Sequence, residues 1–228
     1  MYKPIYSITP FTLLDFPGKT ACILWFAGCN MRCPFCYNPE IVLGKGHQTI
    51  AQAMDFLRSR KGLLEGVVLS GGECTMHRGI LELLQDIRAM GFSIKIDTNG
   101  SRPKVLEKLM EENLIDYLAL DFKALPDNYH ELTGSDLFAE FEQSFQSLLD
   151  SKLPFEIRTT VHSELLTQKE LKKMSEYLSR KGYRGTYYLQ NYVNGLPTLA
   201  PLPASSRIQN VADLELSIKP DLPIVLRA

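Results

Sequence analysis

Three cysteines, Cys29, Cys33 and Cys36, stand in a C-x3-C-x2-C spacing inside the stretch T-A-C-I-L-W-F-A-G-C-N-M-R-C-P-F-C-Y-N-P, residues 20–39. One short loop with this spacing can turn three thiolates inward around a metal centre. Three thiolates fall one short of a closed tetrahedral zinc site. On a four-iron cluster they leave one iron open to a ligand from outside the protein. A zinc half-site completed by His47 or Cys74 is the competing reading. Other polar words follow apolar runs: Gly71-Gly72-Glu73, Asp97-Thr98-Asn99-Gly100, Asp121-Phe122-Lys123, and Arg158 in E-I-R-T-T-V. Paired glycines let a ligand approach the backbone closely, and Glu73 offers an acceptor for an ammonium group. An arginine inside a buried strand must meet an anion, because an unpaired buried charge is costly. Cys22 lies within an apolar run and reads as core. Cys74 reads as a small buried hydrophobe, with a spare ligand for the open iron as the alternative. The four histidines, at 47, 77, 130 and 162, show no ligand spacing.

The elements that must position these residues alternate along the chain. Short apolar runs predict strands at Ala21–Ala27, Gly66–Ser70, Phe92–Ile96, Asp116–Phe122, Phe155–Val161 and Thr186–Leu189. Between them run helical patterns. Thr49-x-x-Gln52 and Thr167-x-x-Glu170 are capping boxes, Pro103 suits a first helical position, and the apolar sets Ile80/Leu83/Leu84/Ile87 and Phe138/Phe141/Phe145/Leu148 recur at helical spacing. Such alternation predicts an α/β fold with a parallel sheet, and every polar word then falls at the end of a strand, where parallel α/β folds gather ligands. Periodicity alone leaves an open doubly wound sheet and a partial barrel both standing. Residues 1–19 read as an opening segment with turns at Pro10 and Pro17-Gly18. Residues 1–193 form one core domain, and 194–228 read as an irregular tail packed on it, with a late strand at Ile224–Leu226.

The cysteine loop after a first strand, with Phe35 ahead of the last cysteine, resembles the radical S-adenosylmethionine superfamily. The wider wording, L-L-D-F-P-G-K-T at 13–20 and W-F-A-G-C-N-M-R-C-P-F-C-Y-N-P-E, resembles the glycyl-radical-enzyme activases, in particular those of anaerobic ribonucleoside-triphosphate reductase. The resemblance implies a partial (β/α)6 TIM-like barrel carrying one 4Fe-4S cluster on Cys29, Cys33 and Cys36. It also implies S-adenosyl-L-methionine bound at the open iron and cleaved reductively to a 5′-deoxyadenosyl radical. By the same resemblance Gly71, Gly72 and Glu73 receive the amino group of the methionine moiety. Asp97, Thr98 and Asn99 face the cofactor, Asp121 and Lys123 contact its ribose and carboxylate, and Arg158 lies near that carboxylate. Asn38 matches the asparagine two residues after the last cysteine, and Gln190 lies in the region flanking adenine. Two departures stand out: Cys74 replaces the proline that continues the G-G-E word, and Tyr37 replaces a histidine. The partners implied are a glycyl radical enzyme and an electron donor such as flavodoxin or ferredoxin.

Composition narrows the field. The 228 residues carry 25 basic and 26 acidic side chains, for a net charge of −1, so no global field favours nucleic acid or an anionic membrane. No apolar run approaches membrane-spanning length, and the first residues, M-Y-K-P-I-Y-S, lack an apolar signal core. Five cysteines with three clustered do not make a disulfide framework; a reducing cytoplasm is the expectation. Two other functions compete with the activase: a small-molecule radical enzyme akin to 7-carboxy-7-deazaguanine synthase, and a zinc-stabilised binding module without catalysis.

Overall fold

In the computed structural model, which describes residues 2–211 and 222–227, the apolar runs pair into one sheet. Its strands are β1 (Ile5–Thr12), β2 (Ala21–Phe26), β3 (Gly66–Gly71), β4 (Ser93–Thr98), β5 (Tyr117–Asp121), β6 (Phe155–Val161), β7 (Tyr187–Asn191) and β8 (Ile224–Arg227). Each strand lies beside its predecessor in sequence. Strands β2 to β8 run parallel, and β1 pairs antiparallel with β2. The helices are α1 (Pro39–Leu43), α2 (Ile50–Arg60), α3 (Ile80–Ala89), α4 (Pro103–Glu111), α5 (Pro126–Thr133), α6 (Phe138–Asp150) and α7 (Gln168–Arg180). The six predicted strands are β2 to β7, and with their crossover helices they make the partial TIM-like barrel. No described helix is long and apolar enough to cross a membrane.

Both predicted capping boxes form, at Thr49/Gln52 before α2 and Thr167/Glu170 before α7. Each satisfies two backbone donors that a helix start leaves orphaned. Strand β1 departs from the turn-rich opening segment expected. Pro10 lies within it, which an edge strand tolerates because its unpaired side needs no donor, and the register with β2 shifts between Thr9 and Thr12. Helices α1 and α5 were also not anticipated, being too short or too polar to show an apolar stripe. The expected late strand is β8, paired with β7; residues 212–221 and 228 of the predicted tail lie outside the described residues.

Alternation along each strand sorts the two faces of the sheet. Leu24, Leu69, Ile94, Ile96, Leu118, Leu120 and Ile157 join the main core, which includes the apolar faces of the helices. The other face lines the barrel. A small apolar cluster of Phe16, Ala21, Ile23 and Val68 fills part of it. Towards the strand ends the same face turns polar and opens into a cavity.

Strand β3 and the loop after β2 meet at that end without room for side chains. A Cβ on Gly71 would lie 2.5 Å from the Phe26 nitrogen, and one on Gly72 would lie 1.9 Å from the Gly28 carbonyl oxygen. The close approach these glycines permit is therefore first of all to the cysteine loop. Gly72→Ala is expected to separate the two segments and cost roughly 1–3 kcal/mol of folding stability, the usual cost of overpacking, read as a lower urea midpoint. Unchanged stability would contradict the packing described.

Candidate functional site

The loop carrying the cysteines is clasped from several sides. At its start the Gly28 N–H donates to the Ile41 carbonyl at 2.8 Å, and the Gly28 carbonyl accepts from Glu73 N–H at 2.9 Å. At its middle Arg32 N–H donates to the Thr133 carbonyl at the end of α5, 2.6 Å away. The Arg32 guanidinium folds back on the Cys29 and Met31 carbonyls at 2.7 and 2.8 Å. At its end the segment beyond β7 straps over it: Ala200 and Leu199 N–H groups donate to the Pro34 and Cys36 carbonyls at 3.1 and 3.0 Å. Tyr37 completes the strap. Its hydroxyl accepts the Val193 N–H at 2.6 Å, and its ring stacks on Tyr192.

All three loop cysteines are free thiols and line one cavity of about 270 Å³ with the strand ends opposite. Burial pushes the Cys29 thiol up to about 12 and the Cys33 thiol up to about 11. Thiolates in such a place require a cation, and a metal centre supplies one. The donor set therefore fits a three-cysteine iron–sulfur cluster. Asn99 reaches the same loop, its side-chain NH2 3.9 Å from the Cys29 sulfur and donating to the Asn30 side-chain oxygen Oδ1 at 3.0 Å.

Across the cavity, three consecutive strand ends carry a chain of paired charges. Lys95 donates to Asp97 at 2.5 Å, and Arg158 lies 3.5 Å from the other Asp97 oxygen. Arg158 also donates to Asp121 through two nitrogens at 3.0 and 2.9 Å, and Lys123 donates to Asp121 at 3.1 Å. Strand register explains the grouping, because Asp121 pairs directly with Arg158. Lys95 and Asp97 share one face of β4. Burial would raise both carboxyls, yet Arg158 with Lys95 holds Asp97, and Arg158 with Lys123 holds Asp121, below the usual carboxylate range. Burial would lower the Lys123 ammonium, but the Asp121 carboxylate overrides it and keeps it above the ordinary lysine value. Of these five side chains Asp97, Asp121, Lys123 and Arg158 line the cavity, joined there by Asp15, whereas Lys95 supports Asp97 from behind the wall.

Most residues singled out from sequence line this cavity: Cys29, Cys33, Cys36, Asn38, Gly71, Gly72, Asp97, Thr98, Asn99, Asp121, Lys123, Arg158 and Gln190. Glu73 is the exception and corrects the expectation of an ammonium acceptor. Its side chain is fully buried and absent from the cavity wall. Its carboxylate already accepts from Thr75 N–H at 3.1 Å, Thr75 Oγ1 at 2.5 Å, Thr98 Oγ1 at 2.9 Å and Asn99 N–H at 2.7 Å. Burial pushes its carboxyl upward, against those four donors. Glu73 thus fastens the end of β4 to the end of β3. Cys74 is buried beside it, its thiol 3.5 Å from the Asp97 carbonyl and 3.8 Å from that of Leu69, outside the cavity wall. That placement is the small buried hydrophobe.

Sequence reading passed over Lys95, Ser70 and Thr160. Ser70 donates to Asp97 at 3.1 Å, and Thr160 lines the cavity. Each lies two residues from, or directly before, a residue already singled out. Period-two alternation placed Lys95 beside Asp97 and Thr160 beside Arg158.

The Radical SAM superfamily pattern matches residues 23–178, more than half of the chain. A protein of Methanocaldococcus jannaschii, provisionally named a glycyl-radical enzyme activating enzyme, is 29% identical over 75% of this chain and 74% of its own length. The pyruvate formate-lyase-activating enzyme of Clostridium pasteurianum is 29% identical over 57% of each chain. Further relatives carry the names GTP 3′,8-cyclase and 7-carboxy-7-deazaguanine synthase. Among solved structures, Streptococcus suis SuiB bound to its precursor peptide SuiA superposes with a TM-score of 0.67 at 14% identity, over 89% of this chain and 48% of that one. That likeness is one of fold.

Two substitutions test the wall without any cofactor. Glu73→Gln places an amide NH2 among donors, and a loss of roughly 1–3 kcal/mol is expected, as for a buried group left unsatisfied; an unaltered urea midpoint would sink the fastening role. Asp97 and Asp121 have folded pKa values below their unfolded ones, near 3.9. Their ionisation therefore stabilises the fold above that value, and the contribution is lost as pH falls through the lower folded values. Arg158→Gln removes the cation both share, so the acid-unfolding midpoint should move to higher pH. A midpoint unmoved, or moved to lower pH, would contradict the pairing.

Proposed function

The chain belongs to the Radical SAM superfamily, and on that premise we propose that it is a glycyl-radical-enzyme activating enzyme whose partner is an anaerobic ribonucleoside-triphosphate reductase. Members of this family use a 4Fe-4S cluster and S-adenosylmethionine. In the proposed assignment Cys29, Cys33 and Cys36 would hold the cluster, and three protein ligands would leave it a site open to S-adenosylmethionine. The cluster, when bound, supplies the electron that cleaves the sulfonium to methionine and a 5′-deoxyadenosyl radical.

The chain's own residues bind, orient and shield. The Arg158 guanidinium and the Lys123 ammonium, both in the cavity wall, suit the cofactor's carboxylate. Gly71 and Gly72 offer backbone where the amino group approaches, in place of Glu73. Asp121 and Lys123 face the ribose, Thr98 and Asn99 the side nearest the cysteine loop, Gln190 the adenine, and Asn38 closes the rim. Phe35 and Met31 line the same cavity and exclude water from the reacting bond. The hydrogen atom would come from a backbone glycine of the partner, with flavodoxin or ferredoxin as electron donor.

One observation carries the reading: the cysteine loop and the charged strand ends face one another across one cavity. The activating role is supported by the archaeal relative, which matches about three quarters of both chains. A second reading, a radical enzyme acting on a small heterocycle, has support in the 7-carboxy-7-deazaguanine synthase of Aquifex aeolicus, over a shorter stretch.

Anaerobic reconstitution, followed by incubation with reductant, S-adenosylmethionine and the reductase, is expected to yield the glycyl-radical doublet in electron paramagnetic resonance. Cys29→Ala, Cys33→Ala or Cys36→Ala should each abolish it, because two thiolates cannot hold the cluster. Cys22→Ala and Cys74→Ala should leave it. Cofactor cleavage without a glycyl radical on the partner would favour the second reading; full signal from Cys29→Ala would overturn the site.

A further inference from the structure

The strap beyond β7 is fastened at its base as well as at its tip. Residues 192–206 carry no charged side chain and form no helix or strand, yet two asparagines close them into a loop. The Asn194 side chain accepts the Ser205 N–H at 2.8 Å and donates to the Ser205 carbonyl at 2.9 Å. At the end of β7, Asn191 treats Ile208 in the same way, at 2.9 and 3.1 Å. A side-chain amide has the donor and acceptor of a peptide group. Each asparagine therefore makes a rung of the kind two antiparallel strands share.

The end of β6 adds further ties. His162, next after that strand and 1% exposed, accepts the Glu164 N–H on Nδ1 at 3.2 Å. That bond leaves the proton on Nε2, which donates to the Pro203 carbonyl at 3.0 Å. Ser163 N–H donates to Ser205 Oγ at 2.9 Å, and Ser206 N–H donates to Ser163 Oγ at 3.0 Å. Within the loop, Pro197, Pro201 and Pro203 each fix a backbone angle. The Thr198 hydroxyl closes the tip on the Ala200 carbonyl at 2.8 Å. A tip this stiff goes where its base sends it. Its destination is the cysteine loop, where the Leu199 and Ala200 N–H groups meet the Cys36 and Pro34 carbonyls.

We propose that residues 195–204 are a clamp that keeps the metal centre closed at Cys36, with Asn194 and His162 as positioning residues that set the clamp. The inference rests on the cluster assignment made above and gives a retention role to residues that the assignment does not use. Irregular loops ordinarily open at little cost in free energy; the ties at the base raise that cost for this one. An agent that removes iron must wait for the tip to lift from Cys36, so the rate of loss follows the fraction of time the clamp stands open.

Asn194→Ala tests this directly, because Asn194 is exposed and lies outside every described strand and helix. In the metal-free protein, hydrogen exchange should quicken at the Leu199 and Ala200 amides and stay unchanged in β2 to β6. After anaerobic reconstitution the variant should hold wild-type iron and sulfide. It should then release iron to a ferrous chelator roughly five- to tenfold faster, as the loss of about one net hydrogen bond would give. Asn194→Asp keeps the acceptor for the Ser205 N–H and loses the donor, so its rate should fall between the two. Unchanged iron release despite faster exchange at the tip would overturn the retention role and leave the cluster assignment intact. Unchanged exchange at both amides would overturn the control of tip by base. A wild-type protein that takes up no cluster would overturn the assignment and the inference together.

Discussion

Arg158 is the side chain on which the functional end of this barrel depends. A guanidinium inside a parallel strand is tolerable only where carboxylates neutralise it, and Asp97 and Asp121 do so from the neighbouring strands. Those carboxylates are in turn tolerable only because Lys95 and Lys123 complete the chain of charges. Removing one partner of such a buried network costs about 3–5 kcal/mol, mostly the penalty of stranding the others. The network therefore fixes three strand ends in mutual register. It also keeps one wall of the cavity polar and charged, in a sheet whose other face is apolar.

The cysteine loop is fixed by a different device. It has little hydrogen-bonding of its own beyond Arg32 on the Cys29 and Met31 carbonyls and Cys36 N–H on the Cys33 carbonyl, so other backbone groups are satisfied from outside, by the segment after β3, α5 and the strap beyond β7. Glu73 joins the two halves: its backbone N–H holds Gly28, while its side chain holds Thr98 and Asn99. A single residue thus couples the loop that presents thiolates to the wall that faces them. Pre-organisation of this kind is what a site needs when a reactive intermediate must be generated without exposure to water. Tyr37 serves the strap, and its departure from the histidine of the resembling proteins exchanges a possible imidazole donor for a phenol that receives Val193.

Local spacing made much of this legible. The thiolate loop, the D-T-N-G and D-F-K words and Arg158 could be read because each is short, and because a parallel sheet sends strand ends to one side. The role of Glu73 could not be read, since its partners Thr98 and Asn99 lie 25 and 26 residues away and only the folded sheet joins them. Lys95 was concealed for a related reason: alternation puts it on the face of Asp97, but which face lines the barrel is a tertiary fact. Strand β1 was obscured by Pro10, a residue that an edge strand with a shifted register can carry. The strap over the cysteines has no periodicity to betray it, because its contribution is made by backbone N–H groups.

The central claim is that S-adenosylmethionine lies between the cysteine loop and the charged strand ends, on a cluster held by Cys29, Cys33 and Cys36. A crystal structure of the anaerobically reconstituted protein with S-adenosylmethionine tests it most directly. The expected result is a 4Fe-4S cluster on those three sulfurs, the methionine carboxylate towards Arg158, and the amino group at the Gly71–Gly72 backbone. A cluster ligated elsewhere, a single zinc ion in the loop, or a cofactor bound away from Asp97, Asp121 and Arg158 would contradict it.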